Sequence, residues 1–231
     1  MSSFSARLAS AVQVHDALDA AAQVGPFFRL EIVDQASGWL PMTQLDPETA
    51  ADYVADTARQ LGTEETRVAA SILQQSFAAR LWSPVLGCGL LAGVVPALSN
   101  LMVSREPPLR LGLPERSGWL VETTSQLLAL SSETVGTQLS AFAAALPDPP
   151  ADGLLRGNSA SAMIGGLGVL ISARPDLSDR AAAIATALLD TEDLRGAGDL
   201  DKTFRRRSCC LYYRVPGGGL CGDCCFTHPP G

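Results

Sequence analysis

Five of the six cysteines fall within seventeen residues near the end of the 231-residue chain: Cys209-Cys210, ten intervening residues, then Cys221-Gly222-Asp223-Cys224-Cys225. Met1 to Gln13 lacks the charged start, long apolar core and small-residue cleavage site of a secretory signal, so the chain is expected to be cytoplasmic. A reducing cytosol keeps thiols free, and free thiols gathered this closely point to metal ligation. Zinc is one candidate, because Cys221-Gly222-Asp223-Cys224 is a C-x-x-C knuckle and four thiolates close a tetrahedral site. The other pair argues against it. Zinc ribbons join two such knuckles, whereas Cys209 and Cys210 are adjacent, and neighbouring side chains diverge. A two-iron cluster is wider, so each member of a vicinal pair can reach a different point on it, and it requires four thiolates.

The order C-C, ten residues, C-x-x-C differs from the common ferredoxin runs. With Arg206-Arg207-Ser208 before the first pair and Tyr213-Arg214-Val215-Pro216-Gly217-Gly218 between the pairs, it resembles the C-terminal signature of FhuF-type ferric-siderophore reductases. The resemblance implies a 2Fe-2S cluster with Cys209, Cys210, Cys221 and Cys224 as its ligands. Cys225 departs from a four-cysteine pattern. The C-x-x-C spacing favours Cys224 over it and leaves Cys225 as a spare thiol. Ala79-Arg80-Leu81-Trp82-Ser83-Pro84 and the stretch Leu154 to Ala162 also look like the body of that family. Related folds belong to enzymes that build siderophores, so the body alone does not separate synthesis from reduction.

Lys202, Arg205, Arg206, Arg207 and Arg214 form an acid-free basic stretch in a chain of net charge −7. Cations near an anionic cluster favour its reduced form; a solvated basic turn or a dock for an acidic donor are the competing readings. Gly217-Gly218-Gly219 lacks the Lys-Ser/Thr ending of a phosphate loop and is expected to make the turn that brings the cysteine pairs together. Arg156 and Asn158 are candidates for contacting a ligand if Asn158 or Ser159 begins a helix, whose free amides attract anionic oxygens. With Arg206, Arg207 and Arg214 they make up the candidate substrate residues. His15, His228 and Cys88 suggest no role: a lone helical histidine, a Pro-rich tail and core filler.

The hydrophobic fraction of 47% against 18% charged residues describes a folded chain, and the acidic balance excludes a general nucleic-acid binder. Leu81 to Ser104 has no charge, but Pro84, Pro96 and three glycines make it a buried core helix rather than a membrane span. The expected fold is mainly α with a small antiparallel β component (α+β), a helical body over 1–199 and an irregular iron-sulfur segment over 200–231. Helices are expected over Ser5 to Val24, from Pro47 to Leu61 behind an Asp46 cap, and from Thr63-Glu64-Glu65 onward. Further helices are expected to start at Ser83-Pro84, at Ser131, at Asn158 or Ser159, and at Ser178. Phe27 to Val33 reads as a strand, and Leu109 to Leu113 with Gly118 to Glu122 as a hairpin.

The resemblance implies one-electron transfer from the reduced cluster to the Fe(III) of a siderophore. Oxygen chelators grip hard Fe(III) far better than Fe(II), so reduction releases the metal. No dinucleotide fingerprint is visible, so an external ferredoxin-like or reductase donor is expected. The partners are then a ferric siderophore and that donor, with no nucleic acid, no membrane span and at most transient proximity to a membrane transporter. A zinc-stabilised binding module and an iron-sulfur redox sensor are the readings from other classes.

Overall fold

Helix-forming patterns dominate the chain, and the computed structural model, which describes residues 6–33 and 38–230, is mainly helical with small sheets. Among the described residues there are six α-helices: α1 (Ala11–Ala22), α2 (Pro47–Leu61), α3 (Thr66–Ala92), α4 (Thr124–Ala145), α5 (Asp152–Ala173) and α6 (Ser178–Leu189). The short strands are β1 (Arg7–Leu8), β2 (Glu31–Ile32), β3 (Trp39–Pro41), β4 (Val94–Pro96), β5 (Met102–Ser104), β6 (Leu111–Leu113), β7 (Gly118–Leu120), β8 (Gly198–Leu200) and β9 (Phe204–Arg206). They form sheets of order β1-β7-β4 and β2-β6-β5-β3 and a β8-β9 hairpin, antiparallel except where β2 meets β6.

Capping explains several boundaries. Asp46 accepts the Thr49 amide at 2.8 Å, Pro47 opens α2, and Gly62 closes it with φ 64, as its sequence requires. The first helix begins later than its apolar period suggests. Ser10 and Gln13 form a capping box, and Arg7–Leu8 is drawn into a strand beside β7; Ser5 lies outside the described residues. A capping box of Thr123 and Gln126 starts α4, leaving Ser131 buried inside that helix.

Two expected helices are one. α3 runs through Pro84 without a break, because every residue from Leu81 to Leu90 is buried and packing around the helix outweighs the lost backbone hydrogen bond. Glycines let its neighbours approach: a Cβ on Gly87 would lie 2.8 Å from Phe28, and one on Gly89 would lie 2.3 Å from Leu127 of α4. Phe77 stacks on Phe142 of α4 with ring centroids 4.2 Å apart.

Two β expectations are corrected. Phe27 belongs to a 3₁₀ turn, Pro26–Phe28, and only Glu31–Ile32 of the following run pairs. β6 and β7 are strands as expected but do not pair with each other: β6 lies between β2 and β5, and β7 between β1 and β4, so cross-chain partners replace the local hairpin. The uncharged stretch after Leu81 is the buried end of α3 followed by β4 and β5. α5 is long and apolar enough to cross a membrane by composition, yet half of its most apolar window is buried and it packs along α3.

Substituting Gly89→Ala should destabilise the protein by about 1–3 kcal/mol through overpacking against Leu127. Gly168→Ala, on the open face of α5 with nothing within 4 Å of the added methyl, should stabilise it by roughly 0.5–1 kcal/mol. Urea denaturation of both variants checks the pair.

Candidate functional site

The cysteine segment is laid against the N-terminal halves of α3 and α5 by a hydrogen-bonded chain of buried polar groups. Arg206, the last residue of β9, is 1% exposed and reaches both helices. Its Nη2 donates to Asn158 Oδ1, and its Nη1 donates to Gln75 Oε1 at 3.3 Å. Asn158 Nδ2 donates to the carbonyl oxygen of Ser71 at 2.8 Å, and Ser71 Oγ donates to the carbonyl of Cys210 at 2.7 Å. Gly157 makes room for this seat, because a Cβ there would lie 2.1 Å from Ser208 Oγ and 3.3 Å from Arg206 Nη2.

Behind Arg206 the chain turns sharply twice. Leu211, directly after the vicinal pair, has φ 69, a left-handed conformation that is unfavourable for a branched residue by roughly 1–2 kcal/mol. It sets the Leu211 amide 3.2 Å from Cys209 Sγ. The second turn is at Gly217, φ 71, where glycine adopts the conformation without penalty. Tyr213 packs edge-on against Phe226, centroids 5.9 Å apart, and ties the end of the segment back to its start.

All six cysteines are free thiols. Cys210 and Cys221 Sγ lie 3.5 Å apart in hydrogen-bond contact. That contact with Cys221 draws the Cys210 thiol down to about 7, helped by the Tyr212 amide and the charge of Arg206 against the effect of burial. The same contact pushes Cys221 up, so Cys210 ionises first and Cys221 keeps its proton. Burial raises Cys209, which is near enough to Cys225, Cys224 and Cys221 to be affected by their charges. Cys225 is raised by burial too, and next by the charge of Cys224, so it lies among the other thiols rather than in the core. The Phe226 amide approaches Cys224 Sγ at 3.4 Å. The amides that reach sulfur therefore come from Leu211, Tyr212 and Phe226 and not from the glycine run. Among the described residues no three His, Cys, Asp or Glu side chains surround a single ion position. Cys88 stands apart in α3, fully buried, its thiol pushed up to about 12 by burial.

Residues 206–226 match the family model of the FhuF 2Fe-2S C-terminal domain. The tail is a FhuF-type 2Fe-2S segment. The match covers 21 of the 231 residues and supports an iron-sulfur, siderophore-related protein. The two body stretches at 79–84 and 154–162 lie outside the match. Comparison with curated proteins finds no match for the chain.

The residues present fit such a cluster. Two thiolates on one tetrahedral metal, each about 2.3 Å away, stand roughly 3.8 Å apart, close to the 3.5 Å between Cys210 and Cys221. Two buried donors in the FhuF-type segment, Arg206 Nε and Ser208 Oγ, have no partner. Orphaned donors beside a group of thiols suit an anionic centre whose sulfurs accept hydrogen bonds.

The candidate substrate residues fare differently. Asn158 does not start a helix: α5 begins at Asp152, and Asn158 is fully buried under the tail, so the anion site expected at its amide does not exist. Arg156 donates to the Arg195 carbonyl at 3.1 Å and lines a separate cavity of about 470 Å³ that the tail cysteines do not reach. The basic stretch is not free of acids in space. Arg207 pairs with Asp199 at 2.5 Å and holds that carboxyl below its usual range, and Arg214 pairs with Glu65 at 2.6 Å. The sequence reading missed an apolar cavity of about 750 Å³ bounded by Phe27, Ile164, Val169, Phe204 and Cys221, with Lys202 and Asp223 also on its wall. A smaller one of about 320 Å³ shares Phe27, Gln75, Ala79 and Cys221 with it and adds Cys210. The signal in the sequence is the small-residue run Ser159 to Gly168, whose short side chains leave that wall open.

Replacing Gly157 with valine should displace Ser208 and Arg206 and lower the iron and acid-labile sulfide bound per chain. The far-ultraviolet helical signal should stay, because the change is confined to the seat of the tail.

Proposed function

We propose that the protein is a ferric-siderophore reductase acting in the cytoplasm, with residues 200–231 as the cluster-bearing segment on a body of residues 1–199. When bound by Cys209, Cys210, Cys221 and Cys224, the 2Fe-2S cluster supplies one electron, which converts the chelated Fe(III) to weakly held Fe(II). An external one-electron donor, ferredoxin-like or a reductase, returns the electron.

The observation that carries the reading is that Cys221 lines the 750 Å³ cavity, a volume within the range of small-molecule sites. A chelate resting there would meet the cysteine loop directly. Phe27, Ile164 and Val169 offer it apolar surface, and Lys202 offers a polar contact at the wall. These residues replace Arg156, Asn158, Arg206, Arg207 and Arg214 as substrate contacts, since those side chains are engaged in hydrogen bonds or ion pairs elsewhere. A chelate approaching this wall meets one cation and one carboxylate, Lys202 and Asp223.

Anaerobically reduced protein mixed with ferric hydroxamate, catecholate and citrate complexes should regain its oxidised visible spectrum while a ferrous trap takes up the iron. A protein that retains its electrons with every complex refutes the reading. Val169→Asp, on the cavity wall, should slow that reoxidation about tenfold, equivalent to roughly 1.4 kcal/mol, with the spectrum of the oxidised protein unchanged. For the ligand set, Cys224→Ser should abolish the cluster spectrum and Cys225→Ser should leave it nearly intact.

A further inference from the structure

Arg206 heads the large fully buried side chains among the described residues, and no carboxylate there forms an ion pair with it. Its guanidinium is held by neutral amide oxygens, those of Asn158 and Gln75, while Nε donates to nothing. The orientation of Asn158 is set, since its Nδ2 donates to Ser71 O at 2.8 Å and lies 3.2 Å from Ser71 Oγ, leaving Oδ1 for the guanidinium. A buried cation without a counter-ion is strongly unfavourable. The nearby groups able to carry negative charge are the thiols and the Asp223 carboxylate, and among the described residues no ion pair joins that carboxylate to Arg206. Arg206 lowers both Cys210 and Cys225 through its charge, and its own backbone amide donates to Asp223 O at 3.0 Å, within the second cysteine knuckle.

The other arginines of the basic stretch provide the contrast: Arg205 is exposed to solvent and donates to the Cys225 carbonyl at 3.1 Å. Arg207 and Arg214 are exposed and each pairs with a carboxylate, so their charge is cancelled at short range and screened by solvent. Arg206 is buried and held only by neutral partners, so its full charge acts on whatever lies beside it through a medium of low dielectric.

We propose that Arg206 is the buried counter-charge of the 2Fe-2S cluster, a positioning residue that sets the cluster's reduction potential and is itself stabilised by the cluster's negative charge. Adding one electron to the cluster increases the negative charge facing the guanidinium, so the fixed cation favours the reduced form. The inference rests on the 2Fe-2S tail. It is independent of the identity of the electron acceptor, and a failure of the siderophore reading leaves it standing.

The test is a spectroelectrochemical titration of the purified holoprotein and three variants. Arg206→Gln should make reduction at least tenfold less favourable, a fall of about 59 mV in the midpoint for one electron. Arg206→Lys, which keeps the charge, should stay within threefold of the parent protein. Gln75→Glu sets a carboxylate at the 3.3 Å position of the amide oxygen and completes an ion pair with the guanidinium. It should lower the midpoint as Arg206→Gln does, and it should also raise the melting temperature of the iron-free protein, where the cation otherwise has no counter-ion. A purely structural arginine predicts iron loss without any change of midpoint in the chains that keep the cluster. If Arg206→Gln fails to hold iron, Gln75→Glu decides. An unchanged midpoint in that variant, or an unchanged melting temperature of its iron-free form, overturns the proposal.

Discussion

A guanidinium buried without a carboxylate has to be satisfied by neutral oxygens, and the contact of Arg206 with Asn158 and Gln75 is the point on which the arrangement of the tail depends. The requirement reaches through three elements. Asn158 belongs to α5, Gln75 and Ser71 to α3, and Ser71 closes the circuit by donating to the carbonyl of Cys210. One arginine thus places the first cysteine pair against the two helices that pack along each other at the centre of the body. Buried polar networks of this kind specify a unique arrangement because each member, once displaced, leaves another unsatisfied.

The small residues of α5 serve two ends. Gly157 admits the tail near the start of the helix, and Gly165 and Gly166, two turns and more further on, open the wall of the apolar cavity that reaches Cys221. A larger side chain at Gly166 would meet Ser83 Oγ at 2.8 Å, so the same stretch also sets the close approach of α5 to α3. The helix therefore has a low amphipathic contrast along its length: one part of its surface faces α3, another the tail, and another the cavity. This is why a composition that passes for a membrane span belongs to a helix half covered by its own protein.

Charge near the cysteines also divides according to tertiary neighbours. Five cations follow one another in sequence without an intervening acid. In space Asp199 comes from the preceding strand and Glu65 from the start of α3, and they cancel Arg207 and Arg214. What remains beside the cysteines is one buried cation, Arg206, and the exposed Arg205, whose Nη2 donates to the Cys225 carbonyl at 3.1 Å. The cavity beside them is correspondingly apolar, with Lys202 and Asp223 balancing at its wall.

The chemistry was legible in the sequence because it is a matter of residue type and short spacing: five thiols within seventeen residues, and a vicinal pair ten residues before a C-x-x-C. Local caps were legible for the same reason, as at Asp46-Pro47 and Gly62. Three other features depended on partners distant along the chain. Pro84 continues a helix because neighbours bury it on every side, β6 and β7 pair with strands other than each other, and Asn158 turns from a supposed helix cap into an acceptor for an arginine 48 residues later. Sequence alone determined which atoms could hold iron, since thiols need no fold to be ligands. The tertiary structure decided which charges face them and where a second molecule can approach. Burial and long-range pairing set the dielectric and the local sum of charges, and neither is a property of neighbouring residues.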